Sequence, residues 1–304
     1  MKQSVKSICG LLLAVVLLAA CEKMSVGDEE SSIPLSGANV VIKVSDLEAG
    51  WAATRAPVSI AEVCSRLCFA VYQDGSRVKY ENQKTGDAGF GTFALKLAEG
   101  TYQLLAVGHS GAANPATTNP AKIQFSNPGG SNGTGFTDTF YYYGTIEVGS
   151  DGARLDISMK RATAMFRLKT KDVKPAEVKK FQFYYEGGSG TLDATTGYGC
   201  VNSKQSVFVE TGDDLTGHIL QFEMYTFPHQ ETDEVSFTVK AFDANEAILY
   251  EKEFTNIKIK RDCITQYSGE FFTDGDVKTD PETPSGSNVI MVDPEWSEIF
   301  EYTF

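Results

Sequence analysis

From residue 38 onward the chain is a succession of short apolar stretches separated by Gly, Pro, Asn and Asp, and helical periodicity is nearly absent. Over 38–47, Val40, Ile42 and Val44 alternate with Val41, Lys43 and Ser45. Neighbouring side chains of a strand point to opposite faces, so this pattern gives one apolar face. The run 67–72 is continuously apolar and stops at Gln73-Asp74-Gly75, which suits a buried strand ended by a turn. The same reading predicts strands over 93–97, 101–107, 139–148, 154–159, 164–170, 180–185, 206–210, 220–227, 234–242, 247–254 and 267–272. At most a turn of helix is expected from Ser59. Residues 111–135, rich in Gly, Asn, Pro, Ser and Thr, read as a long loop with one strand at 122–125. Strands spaced by roughly 8–12 residues with Gly/Pro turns predict an all-β chain of β-sandwiches.

Two sandwiches are expected, because the length prior is roughly 100–200 residues per domain. We place the boundary near residue 158, giving an N-terminal sandwich over 37–158 and a C-terminal one over 159–304. Alternation puts Leu67, Phe69, Val71, Leu95, Leu104 and Val107 in the first core. Phe222, Tyr225, Phe237, Val239 and Phe254 fall in the second. A polar, Pro-rich linker at 279–287 leads to a last strand pair at 289–292 and 298–304. In the second of these Phe300, Tyr302 and Phe304 share a face.

The first residues are of a different kind. Lys2 and Lys6 precede an uncharged, almost wholly apolar stretch from Ile8 to Ala20. That is the order of a secretory signal peptide, and the stretch falls short of the roughly 20 residues a spanning helix needs. Leu18-Ala19-Ala20-Cys21 resembles the lipobox of bacterial lipoproteins. Residues 1–20 are therefore read as a signal cleaved between Ala20 and Cys21, with Cys21 carrying the lipid and 21–36 forming a tether. Asp28-Glu29-Glu30 resembles a surface-export signal, set further from the cysteine than usual.

The chain carries 27 Lys and Arg against 40 Asp and Glu, a net charge of −13. Removing residues 1–20 takes two lysines and no acid, so the mature balance is −15. Such a chain is a poor ligand for nucleic acid or anionic lipid. Cys64, Cys68, Cys200 and Cys263 remain. If their stretch is extended, the Cα atoms of Cys64 and Cys68 lie roughly 13 Å apart, beyond bridging distance. Cys200 and Cys263 could pair, and buried free thiols are the other reading. No Cys/His spacing suggests zinc, and the acids at 274–282 fail the calcium-loop template because Lys278 interrupts them. His109, His218 and His229 are isolated, and no nucleophile-elbow phrase occurs. No catalysis, cofactor, metal or small-molecule substrate is expected. The aromatic runs at 140–144 and 181–185 put rings on both faces of their strands. One face is core, and the other suits cross-strand pairing, a glycan platform or a subunit contact.

Several phrases together resemble the FimB-like fimbrillin-associated anchor (minor fimbrial subunit) family of Bacteroidetes, within the fimbrillin superfamily. They are T-R-A-P at 54–57, L-C-F-A-V-Y-Q-D-G at 67–75 and L-A-E-G-T-Y-Q-L-L-A-V at 97–107. M-K-R-A-T-A-M-F-R-L at 159–168, Y-T-F-P at 225–228, K-I-K-R-D-C-I-T-Q-Y-S-G-E-F-F at 258–272 and V-D-P-E-W at 292–296 complete the set. The resemblance implies two tandem transthyretin-like sandwiches and a non-enzymatic role in fimbriae at the outer membrane, exposed at the cell surface. It implies partner subunits joined by β-strand addition, in which an extended segment completes a neighbour's sheet. It also implies a possible protease site between Arg55 and Ala56. A lipid on Cys21 argues that the strand at 38–47 stays in its own core. The C-terminal Phe300, Tyr302 and Phe304 then become the candidate contact with the polymer. The alternatives are a glycan-binding surface lipoprotein of a polysaccharide-uptake system, and a protease-processed stalk or tip subunit.

Overall fold

The computed structural model describes residues 37–48, 59–125, 136–273 and 296–304, all within one compact unit. The first half contains β1 Val40–Glu48, β2 Arg66–Gln73, β3 Ser76–Lys84, β4 Thr92–Leu95, β5 Gly100–His109, β6 Ile123–Gln124, β7 Thr139–Val148 and β8 Ala153–Arg161. The second contains β9 Ala164–Thr170, β10 Lys180–Gly187, β11 Thr191–Asp193, β12 Tyr198–Gly199, β13 Lys204–Glu210, β14 Gln221–Thr226, β15 Thr232–Phe242, β16 Ile248–Lys260, β17 Cys263–Gly269 and β18 Glu298–Thr303. The chain is all-β apart from short helical turns. One of them, α1 Ile60–Val63, begins at Ser59, whose hydroxyl accepts from the Ala61 N–H as an N-cap.

Both halves wind alike. In the first, β3-β2-β5-β7 form one layer and β8-β1-β4 the other, joined through a short β7–β8 pairing at Phe140–Arg161 and Tyr141–Lys160. In the second, β13-β10-β15-β16 face β14-β9-β17. Each half pairs its first strand parallel to its last, β1 with β8 and β9 with β17. Each pairs that first strand antiparallel on its other side, with β4 or β14. The second half carries one strand more, β18, added parallel to β17.

Local chemistry fixes the turns. β2 and β3 are joined by Asp74 and Gly75, with φ of 50° and 75°. Two consecutive positive φ values make the tight hairpin turn that matches strand twist, and Asp-Gly is a preferred pair for it.

Val40, Ile42, Leu67, Phe69, Val71, Leu95, Leu104, Ile146 and Ile157 pack between the layers of the first half. In the second half Phe166 stacks on Phe237 with centroids 4.1 Å apart, and Phe237 on Tyr185 at 4.7 Å. Burying each such ring contributes about 1.5–3 kcal/mol. A third cluster, including Tyr72, Leu105, Val107, Ile123, Tyr141, Leu192 and Phe227, lies where the halves meet. There β6 of the first half pairs with β11 of the second.

Two core assignments need correction. Val107 faces the third cluster rather than the first core, and Tyr225 lies half-buried on the face opposite the second core. Both are one residue out of phase with their core-facing neighbours, Ala106 and Met224, and a strand turns every side chain over at each step. Strand β3 was not expected. It is an edge strand, exposed over most of its length, so its sequence shows no apolar face. The expected strand at 267–272 begins and ends earlier, and Phe271 lies beyond it, fully buried. The linker at 279–287 and the strand at 289–292 lie outside the described residues.

Candidate subunit interface

The N-terminal strand is held on both sides. Val40 through Lys43 pair with Leu95 back to Thr92 on β4, and Val40 through Glu48 run parallel to Ala153 through Lys160 on β8. Val40 and Ile42 are fully buried and Val44 is 8% exposed. Asn39 pins the strand's start, donating to the Leu97 carbonyl at 2.8 Å and accepting from the Leu97 N–H at 2.9 Å. The strand therefore completes its own sheet. Ala20, Cys21, Arg55 and Ala56 lie outside the described residues.

The C-terminal strand is also seated in its own half. Cys263 through Ser268 pair with Glu298 through Thr303, and among the described residues no strand lies along the other long edge of β18. Tyr302 stacks on Tyr267 with centroids 4.9 Å apart and planes 21° apart. Phe304 meets Phe254 edge-on at 5.0 Å, with the buried Lys252 ammonium 5.8 Å from its ring centroid. Burial raises the pKa of Tyr302, and pushes Tyr267 up to about 12. Two of the three predicted contact rings thus pack against the second core, while Phe300 is half-buried. Their shared face was legible in the sequence. That the face points inward was not, because it depends on the ring at Tyr267 receiving it.

The opposite face of this sheet carries a polar row in register across all four strands. Glu223, Arg167, Gln266 and Glu301 sit side by side. Arg167 Nη2 lies 2.9 Å from Glu223, and Gln266 donates to Glu301 at 2.9 Å. A slip of β18 by one residue would break this row and turn Tyr302 outward, so the register is strongly specified.

At the meeting of the halves sits a buried cation that sequence reading missed. Arg161, at the end of β8, donates from Nε to both Asp138 oxygens at 3.0 Å and from Nη1 to Asp262 at 2.5 Å. Its side chain is 4% exposed. The guanidinium carbon lies 3.9 Å from the Trp296 ring centroid and 4.9 Å from that of Phe140. Burial opposes the Arg161 cation, but the charges of Asp138 and Asp262 outweigh it and raise its pKa. Burial raises the pKa of Asp138 against the pull of Arg161 and the Thr163 hydroxyl. Asp262 sits in the β16–β17 turn at φ 58°. It accepts from Ser297 twice, at its carbonyl from the N–H at 3.0 Å and at its carboxylate from the hydroxyl. The available signals were an arginine closing an apolar alternation and an Asp at a tight turn.

Other candidates separate. Cys200 and Cys263 are unbridged: Cys200 is exposed and donates to the Thr191 carbonyl at 3.6 Å, while Cys263 is buried in β17. Burial pushes the Cys263 thiol up to about 12 despite Lys260 nearby. His109 is buried, with Cys68 Sγ 3.9 Å from Nε2, and His229 lies 2.7 Å from Asp233. Among the described residues no three His, Cys, Asp or Glu side chains converge as a metal set. In the run 140–144, Phe140 and Tyr142 face the first core while Tyr141 and Tyr143 face the third cluster. In 181–185, Phe181, Phe183 and Tyr185 are core, leaving Tyr184 outward with its hydroxyl on Glu186.

A sequence profile of fimbrillin-A associated anchor proteins Mfa1 and Mfa2 matches residues 38–301. No curated protein matches the chain. Among solved structures, the chain is similar to the fimbrial anchor protein Mfa2 from Porphyromonas gingivalis. The two are 13% identical, 71% of this chain and 82% of that one are covered, and the TM-score is 0.40. It is also similar to a fimbrial assembly protein from Parabacteroides distasonis, at 15% identity, 76% and 89% coverage and a TM-score of 0.36.

Proposed function

This chain belongs to the family of fimbrillin-A associated anchor proteins, and we propose that it is a lipid-anchored subunit that fastens or terminates a fimbrial polymer at the outer membrane. In this reading residues 1–20 are the signal, Cys21 carries acyl chains, and 21–36 tether a sandwich over 37–158 that is followed by one over 159–304. Several acyl chains on one cysteine give stable anchoring at about 0.8 kcal/mol per buried CH2.

The observation that carries the reading is the pairing of β1 on both sides within its own sheet. In that state β1 fills the place between β4 and β8 that a donor strand would otherwise take. Cutting between Arg55 and Ala56 would separate β1 and the lipid from the rest of the chain. A subunit that works as an anchor keeps that segment whole. Contact with the polymer then falls to the C-terminal strand, by strand addition beside Phe300, Tyr302 and Phe304, along the edge of β18 that no other described strand occupies. N–H and C=O groups along that edge supply the ladder, and side chains next to it supply selectivity.

The test is Cys21→Ser in the producing cell. The expected result is an uncleaved or soluble periplasmic form with fimbriae lost from the envelope. A variant that still fractionates with the membrane at normal mobility contradicts the anchor.

A further inference from the structure

We propose that Arg161, a residue of the first half, is the positioning residue for the C-terminal strand of the second, and that docking of β18 depends on the ion cluster where the halves meet. The inference rests on the reading of β18 as the polymer contact, and names what holds that contact in place.

The geometry leaves Arg161 with three tasks at once. It ties Asp138, at the entry to β7, to Asp262, in the β16–β17 turn, and so links the two halves. Its planar face supports Trp296, the residue from which the chain enters β18. Through Asp262 it also holds the turn whose carbonyl and carboxylate receive Ser297. Trp296 and Ser297, which immediately precede β18, are therefore fastened to the joint. Further along, β18 relies on ring contacts at Tyr267 and Phe254. Among the described strands it pairs with β17 alone. A strand held on one side opens more readily than a central one, so its fixed end governs how often it frays. An arginine suits this place because a planar guanidinium can pair with two carboxylates at its edge while stacking on an indole at its face. A lysine ammonium cannot do both. Trp296 lies on Tyr225, Met165 and Ile264 as well, so its loss removes the cover of a small apolar cluster beside Ile299 of β18.

The test uses the full mature chain and amide hydrogen exchange resolved by segment. Two variants are compared with the wild type, Trp296→Ala and Arg161→Lys, the second keeping the positive charge that the aspartates need. In both, amides of 298–303 are expected to exchange at least tenfold faster, while those of β10 in the second core keep their rates. Wild-type exchange in β18 of folded Arg161→Lys overturns the inference, whatever Trp296→Ala shows. So does loosening in Arg161→Lys confined to 139–141 and 160–163. Binding of wild-type protein to a stalk subunit tests the polymer contact separately. A wild type that binds no stalk subunit, with β18 still loosened in the variants, supports the role of Arg161 and removes the contact reading alone.

Discussion

Gly269 makes room for Phe304. A Cβ placed on Gly269 would lie 2.7 Å from Phe304 Cγ and closer still to its carbonyl oxygen. Phe304, the residue after β18, thus packs on a position of β17 that has no side chain. Gly269→Ala should cost about 1–3 kcal/mol through overpacking. The cost should largely vanish when Phe304 is deleted, because both its ring and its backbone oxygen then leave the space. Urea unfolding of the single and double variants measures this, and an equal cost in both backgrounds would show that β18 does not sit against Gly269.

Phe237 is 2% exposed between Phe166 and Tyr185. Phe237→Ala should destabilise by about 3–5 kcal/mol, the range for removing a buried aromatic ring. A loss under about 1 kcal/mol in equilibrium unfolding would mean that the ring is not in the core.

Burial, with the charge of Arg66 adding to it, pushes His109 down to about 4 from an ordinary 6.5. The folded protein keeps this imidazole neutral while the unfolded chain protonates it below 6.5. The unfolded state therefore binds more protons between those values. The stability linked to His109 is complete above pH 6.5 and is lost as pH falls toward 4. It amounts to roughly 3–3.5 kcal/mol at most, at 1.36 kcal/mol per pH unit. Between pH 7.5 and 4.5 the wild type should lose more stability than His109→Asn, by about 2–3 kcal/mol. Equal losses in the two proteins would refute the assignment.

What was legible in the sequence follows from where the signal comes. Strands with a covered face, such as β7 and β9, show the alternation, and their bounds of 139–148 and 164–170 match the structure. β3 hides because both its faces meet solvent over most of its length. Tyr225 and Val107 were assigned to the wrong face because apolar side chains occur on both faces of β14 and β5, and only packing tells which face meets which core. The face shared by Tyr302 and Phe304 was readable, but not its partners Tyr267 and Phe254. The Arg161 cluster joins Asp138, Asp262 and Trp296, spread over more than 150 residues of sequence. No local pattern carries such a set, since its members meet only once both halves have folded against each other.

The central claim is that this subunit keeps its first strand and its lipid while it holds a polymer. The direct measurement is the N-terminus of the subunit isolated from assembled fimbriae. An intact, lipid-bearing Cys21 joined through β1 to the rest of the chain is the expected result. A new N-terminus at Ala56 in assembled material would contradict it, and would make this a subunit that polymerises after losing its first strand.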